Sequence, residues 1–160
     1  MISVIRKDNE YKAVVSNCKD KTYNAKLTAY LLSKKDMTVI ETYSEDATID
    51  AYSPTSFTLP FEASEESIVV CDVDYGEGSD RSFYKDGALN ITECTEKLDI
   101  KQNADGSVTL TAKEYVHIVE LEGDGVFTDN YFTLLKGESK TVNFVPISDG
   151  DYTVTAYTLV

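Results

Sequence analysis

From residue 23 to residue 31 every second side chain is apolar. Tyr23, Ala25, Leu27, Ala29 and Leu31 fall on one side of an extended chain, with mostly polar groups on the other. A period of two is what a strand shows when one face meets a core and the other meets water, and it does not fit the 3.6-residue period of a helix. The pattern recurs along the first half of the chain. A first strand is expected at 10–16, ended by the turn-prone Asn17-Cys18-Lys19-Asp20, and others at 38–43, 47–51, 56–61, 67–75 and 81–84. Within 67–75 the set Ser67, Val69, Cys71, Val73 and Tyr75 is more consistently apolar than Ile68, Val70, Asp72 and Asp74. The first set is therefore assigned inward. Gly76-Glu77-Gly78-Ser79-Asp80 marks a turn, and no helix is expected in this half.

A short segment, 85–92, reads as a connection. It carries Leu89 and Ile91, so the parts on either side are expected to pack together rather than swing freely. Beyond it, alternating runs at 98–102 and 107–112 flank Asn103-Ala104-Asp105-Gly106. An Asp-Gly turn between alternating runs is a strong local hairpin signal. Further strands are expected at 115–121, 129–135, 139–145 and 150–159. Seven or so short strands with turn residues every eight to twelve positions describe an immunoglobulin-like sandwich, and a chain of 160 residues holds two of them. The 11 Tyr and 6 Phe, with abundant Val and Ile, suit pleated surfaces. The expected fold is all-β, with two consecutive immunoglobulin-like β-sandwich domains at 1–93 and 94–160.

The formal net charge of −13 excludes whole classes of partner. So acidic a surface repels phosphate backbones and anionic lipid head groups, so neither nucleic acid nor a membrane surface is expected as a partner. Neutral sugars stay open, because stacking and hydrogen bonds hold them. No stretch approaches the ~20 apolar residues that span a bilayer, and Met1 to Lys7 lacks a signal-peptide core, so a cytoplasmic location is expected. The cysteines are Cys18, Cys71 and Cys94, without a Cys-x-x-Cys pair, and there is one His. That composition argues against structural zinc. A bridge between Cys18 and Cys71 fits a sandwich, but small thiols in a reducing cytosol are the plainer expectation.

A more specific signal lies in the second half. Asp105-Gly106-Ser107-Val108-Thr109-Leu110-Thr111-Ala112 is followed by Val119-Glu120-Leu121. Then come Phe127-Thr128-Asp129-Asn130-Tyr131-Phe132-Thr133-Leu134-Leu135-Lys136-Gly137-Glu138 and Thr141-Val142-Asn143-Phe144. This series resembles the C-terminal immunoglobulin-like domain of β-mannosidases, glycoside hydrolases of family 2, the β-galactosidase-like family. Asp-Asn-Tyr-Phe followed two residues later by Leu-x-Gly-Glu is its most specific part. The resemblance covers residues 98–145 closely and is architectural over the first ninety. Lys136 departs from it, standing where the family usually has proline.

The resemblance implies hydrolysis of terminal β-mannosides with retention of configuration, by two carboxylates about 5 Å apart on a (β/α)8 barrel. Such a barrel needs on the order of 250 residues, which this chain cannot supply. The chain is expected to be a non-catalytic accessory region of such an enzyme, with no catalytic, cofactor-binding or metal-binding residue of its own. It would pack against and stabilise the catalytic barrel, its principal partner, and could join a homo-oligomer through the parent.

The remaining candidates are weighed residue by residue. Glu65-Glu66 belongs to a polar turn and Glu120 and Glu122 to a strand end, where solvation explains them better than catalysis does. Asp124, Asp129 and Asn130 offer oxygen ligands that suit calcium, without support from the resemblance. His117 lies in a strand apolar on both faces, which suggests an edge or interdomain position. Tyr131 is expected to form a tyrosine corner, Asn130 to cap its turn, and Gly137 to supply a positive φ. Tyr43, Tyr52 and Tyr84 could stack on pyranoses, making an oligosaccharide-binding module the alternative. A free-standing immunoglobulin-like interaction protein is the third reading.

Overall fold

The computed structural model describes residues 1–147 and 151–159. The chain divides into two compact units, Met1–Gly87 and Ala88–Val160. No helix among the described residues is long and apolar enough to cross a membrane. The sole helical turn described is the 3-10 turn Thr95–Lys97.

In the first unit, β1 (Ile2–Lys7), β2 (Glu10–Ser16) and β5 (Pro54–Thr58) form one antiparallel sheet in the order β1-β2-β5. The second sheet runs β4-β3-β6-β7, built from β4 (Val39–Ile49), β3 (Tyr23–Ser33), β6 (Ser67–Asp74) and β7 (Ser79–Lys85). Ile2, Val4, Tyr11, Ala13, Val15 and Phe57 of the first sheet meet Ala25, Leu27, Ala29, Leu31, Val69, Cys71 and Val73 of the second in a single core. The set assigned inward on β3 and β6 is thus the one that packs. Each fully buried Leu or Val here stabilises the fold by about 1.5–3 kcal/mol. Ile68 and Val70 are buried as well, so β6 is apolar on both faces over its first half.

Two features were not expected from the sequence. β1 precedes the anticipated first strand and is joined to β2 by Asp8 and Asn9, with φ 51° and 63°. Two positive φ values in a row make the mirror-image turn whose twist matches a hairpin. Secondly, residues 38–43 and 47–51 do not form separate strands. Residues 39–49 instead make one eleven-residue strand, β4, which pairs with β3 from Tyr23↔Ile49 to Leu32↔Val39. Ser44, Glu45 and Asp46 look like a break, but they continue the ladder as an exposed edge.

In the second unit, β14 (Ser139–Val142), β10 (Val108–Ala112) and β9 (Leu98–Gln102) form one sheet in that order. The other runs β13-β11-β16-β8, from β13 (Phe132–Leu134), β11 (Val116–Gly123), β16 (Tyr152–Leu159) and β8 (Ile91–Glu93). β8 comes from the segment read as a connector, and pairs with β16 through Tyr157↔Glu93 and Leu159↔Ile91. Gly150, the expected start of the last strand, lies outside the described residues. A two-stranded ribbon, β12 (Gly125–Phe127) with β15 (Phe144–Pro146), completes the unit. Leu98, Val108, Leu110 and Val142 face Val116, Val119, Leu121, Leu134 and Ala156 across the core. Next to it Phe127, Phe144 and Tyr152 stack, with ring centroids 4.7 to 6.0 Å apart.

Candidate functional site

The motif over residues 129–138 runs from the end of β12 through β13 to β14, and its side chains bind the chain's own backbone. The Asn130 amide nitrogen donates to the Leu121 carbonyl at 2.8 Å, while its oxygen accepts from the Leu121 N–H at 2.8 Å. A side-chain amide thereby takes the place of a paired strand residue beside β11. Asp129 accepts from the Asn130 N–H and forms an ion pair with Lys140. Further along, the Glu138 carboxylate accepts from the Leu135 N–H at 2.8 Å, and the Gly137 N–H donates to the Ala112 carbonyl. Gly137 has φ 84°, as its turn position suggested, a conformation that a Cβ disfavours.

Tyr131 behaves differently from the expected corner. It has φ 57° and is 65% exposed, and its hydroxyl turns to Glu120 rather than to an upstream backbone group. That bond to a carboxylate raises the Tyr131 phenol above its ordinary value. The left-handed backbone at residue 131 swings the ring outward while Phe132 and Leu134 continue toward the core. Asn130 does more than cap a turn, and the sequence offered only its neighbourhood in the motif as a sign of it.

Asn130 and Asp129, two of the three calcium candidates, are engaged elsewhere. Both polar atoms of the Asn130 amide serve Leu121, Asp129 serves Lys140, and the Asp124 carbonyl accepts from Ile147. Among the described residues no three His, Cys, Asp or Glu side chains gather as metal ligands.

Glu65 and Glu66 stand in the turn before β6, in the first unit, whereas Glu120 and Glu122 stand on β11, in the second. The latter two share a face of one strand, so their Cα atoms are about 7 Å apart, two strand residues. Glu120 accepts from Tyr157 at 3.4 Å, and Glu122 is exposed.

The three tyrosines proposed as a sugar platform do not form one. Tyr43 lies on β4 and Tyr84 on β7, at opposite edges of a four-stranded sheet and offset by two residues along it, hence about 16 Å apart. Tyr43 donates to Glu45 at 2.7 Å. Tyr84 packs on Tyr11 at 5.7 Å between centroids and donates to Asp86, which also accepts from Arg6. The Tyr84 hydroxyl is the leading cause that holds the Asp86 carboxyl below the usual carboxylate range, with Arg6 adding to it. Tyr52, the most exposed of the three, sits alone of them in the turn between β4 and β5.

His117 is not on an edge. β11 lies between β13 and β16, and His117 is 4% exposed, with its Nδ1 3.0 Å from the Tyr115 hydroxyl. Burial lowers the imidazole below its ordinary value. All three cysteines are unpaired, so the Cys18–Cys71 bridge does not form: Cys18 is exposed, and Cys71 lies in the first core. Burial pushes the thiol of Cys71 up to about 12 and that of Cys94 up to about 11.

Comparison with known proteins agrees with this architecture. Residues 91–158 match the family model Ig_mannosidase, an Ig-fold domain. No curated protein matches the chain. Among solved structures, the exo-chitosanase of Amycolatopsis orientalis superposes with a TM-score of 0.61 at 13% identity, covering 99% of this chain and 26% of that one. The β-D-mannosidase of Dictyoglomus thermophilum gives 0.63 at 10% identity, covering 96% of this chain and 21% of that one. The chain thus spans about a quarter of the length of these enzymes, and identities so low speak for the fold. With the family match over residues 91–158, the second unit of this chain is similar to the Ig-fold domains of the Ig_mannosidase family.

Proposed function

We propose that this chain is a non-catalytic C-terminal accessory region of a family 2 glycoside hydrolase of β-mannosidase type, and that it packs against and stabilises the catalytic barrel. The observation that carries the reading is the Ig_mannosidase match, placed within a two-sandwich chain that superposes along nearly its whole length on part of two glycosidases. The motif at residues 129–138 supports it, because its polar side chains are spent on the chain's own backbone. A module of this kind contributes stability and position, while the reacting carboxylates belong to a barrel of ~250 residues elsewhere. The unpaired thiols of Cys71 and Cys94 support a reducing, cytoplasmic setting.

The test is to read the gene upstream of residue 1 and to express the resulting enzyme with and without residues 1–160. A barrel upstream is expected, with hydrolysis of p-nitrophenyl β-mannoside and a shortened thermal half-life after truncation. A truncated enzyme with unchanged activity and unchanged half-life would overturn the supporting role.

A further inference from the structure

The first unit contains an apolar cavity of about 210 Å3 at the end of its sandwich where β2 leaves for β3. Val15, Ala25, Ile49 and Val73 line it, each no more than 7% exposed, together with the rings of Tyr23 and Tyr75. Those rings meet edge to face, with centroids 5.6 Å apart. Lys21 sits over the Tyr23 ring and forms an ion pair with Glu77, tying the β2–β3 loop to the β6–β7 turn next to these rings. Met1, Ser16, Asn17, Cys18, Lys19 and Asp80 also border the cavity, the last five supplying its polar margin.

Size and lining narrow what can enter. Apolar cavities of roughly 150 Å3 stay dry and take up benzene, whereas drug-sized ligands occupy roughly 300–1,000 Å3. A volume of about 210 Å3 therefore holds one six-membered ring and little more. A pyranose seated in the apolar part, among Val15, Ala25, Ile49 and Val73, would bury hydroxyls without partners there, which is unfavourable. An aromatic ring loses nothing there, and it gains edge-to-face contact with Tyr23 and Tyr75.

We propose that this cavity is a binding site for a small aryl compound, with its ring among Val15, Ile49 and Val73 and its polar substituent at the mouth beside Lys19. The site lies wholly in the first unit, with Met1 on its margin. Binding is noncovalent, and the ligand covers Cys18 as it enters.

The test uses the 160-residue chain and benzyl alcohol as the probe, followed by two-dimensional amide NMR. Saturable shifts are expected, confined to residues lining the cavity, with glucose producing none. Alkylation of Cys18 by iodoacetamide should slow to half its rate at the concentration that half-saturates the shifts. Filling the cavity with Ala25→Leu should abolish both effects. Should that variant fail to fold, Cys18 protection in the unaltered chain still decides the matter. Shifts that rise linearly and spread over both units would overturn the proposal, as would saturation without Cys18 protection. Binding of acetyl-phenylalanine amide without binding of benzyl alcohol would overturn it as well, by transferring the pocket to a protein side chain.

Discussion

The side-chain amide of Asn130 pairs with both the N–H and the carbonyl of Leu121, at 2.8 Å each. Leu121 is 2% exposed, so its backbone has little recourse to water. Leaving a buried donor or acceptor unsatisfied costs about 1–3 kcal/mol. Asn130→Ala should therefore lower stability by about 2 kcal/mol or more, since two groups lose their partner together. Asn130→Asp should not rescue it, because a carboxylate can accept from the N–H but only repels the carbonyl. Urea unfolding midpoints of the two variants check this, and an Asp variant as stable as the parent would refute the paired arrangement.

Gly125 lies under the ring of Phe144, and a Cβ there would run into both that ring and the Val145 carbonyl. Backbone cannot yield as a flexible side chain does, so Gly125→Ala should cost about 1–3 kcal/mol and loosen the β12–β15 ribbon. Amide hydrogen exchange of Val126 and Val145 should quicken in the variant, while that of β10 changes little. Equal exchange in variant and parent would contradict the close approach.

The cysteines differ in accessibility. Cys18 is exposed, whereas burial holds Cys71 and Cys94 at about 12 and about 11. The thiolate is the reactive form, so Ellman's reagent at neutral pH should titrate Cys18 quickly in the native protein. The other two should react only as the chain unfolds. Prompt release of three equivalents from native protein would rule out the two buried positions.

Burial lowers the His117 imidazole below its unfolded value of 6.5. As pH falls, the unfolded chain takes up this proton before the folded one does. The contribution of a neutral His117 is thus complete above pH 6.5 and is lost as pH drops from there through the lower native value. Stability should decline between pH 7 and pH 5, and His117→Gln should flatten that decline. An identical pH slope in the variant would assign the loss to other groups.

How much of this was legible depended on what each residue had to signal. Strands β2, β3, β6 and β10 declared themselves by alternation, because a face of each enters a core, and β9 by its place beside the Asp-Gly turn, although only Leu98 of it is buried. β1 did not, since Asp8-Asn9 makes its turn without the glycine that marks such hairpins. β4 looked like two strands because Glu45 stands between Tyr43 and Ala47 on the face that meets the core and interrupts the alternation across Ser44, Glu45 and Asp46. β8 is three exposed residues long and resembled a connector. At the candidate site the motif pointed to the right segment, but the role of Asn130 depends on its distance to Leu121, which lies nine positions away in sequence. The cavity of the first unit gave no sequence sign at all, because a void between sheets is a property of their spacing.

β4 offers eleven residues of hydrogen-bonding backbone along the flank of its sheet. A second copy docking there in antiparallel fashion about Tyr43 would set Glu41 against Glu45, and like charges directly opposite are destabilising. The carboxylates that disguised this strand in the sequence thus serve as a colloidal guard. They set like charges against any copy that approaches this open ladder, which opposes edge-to-edge pairing there.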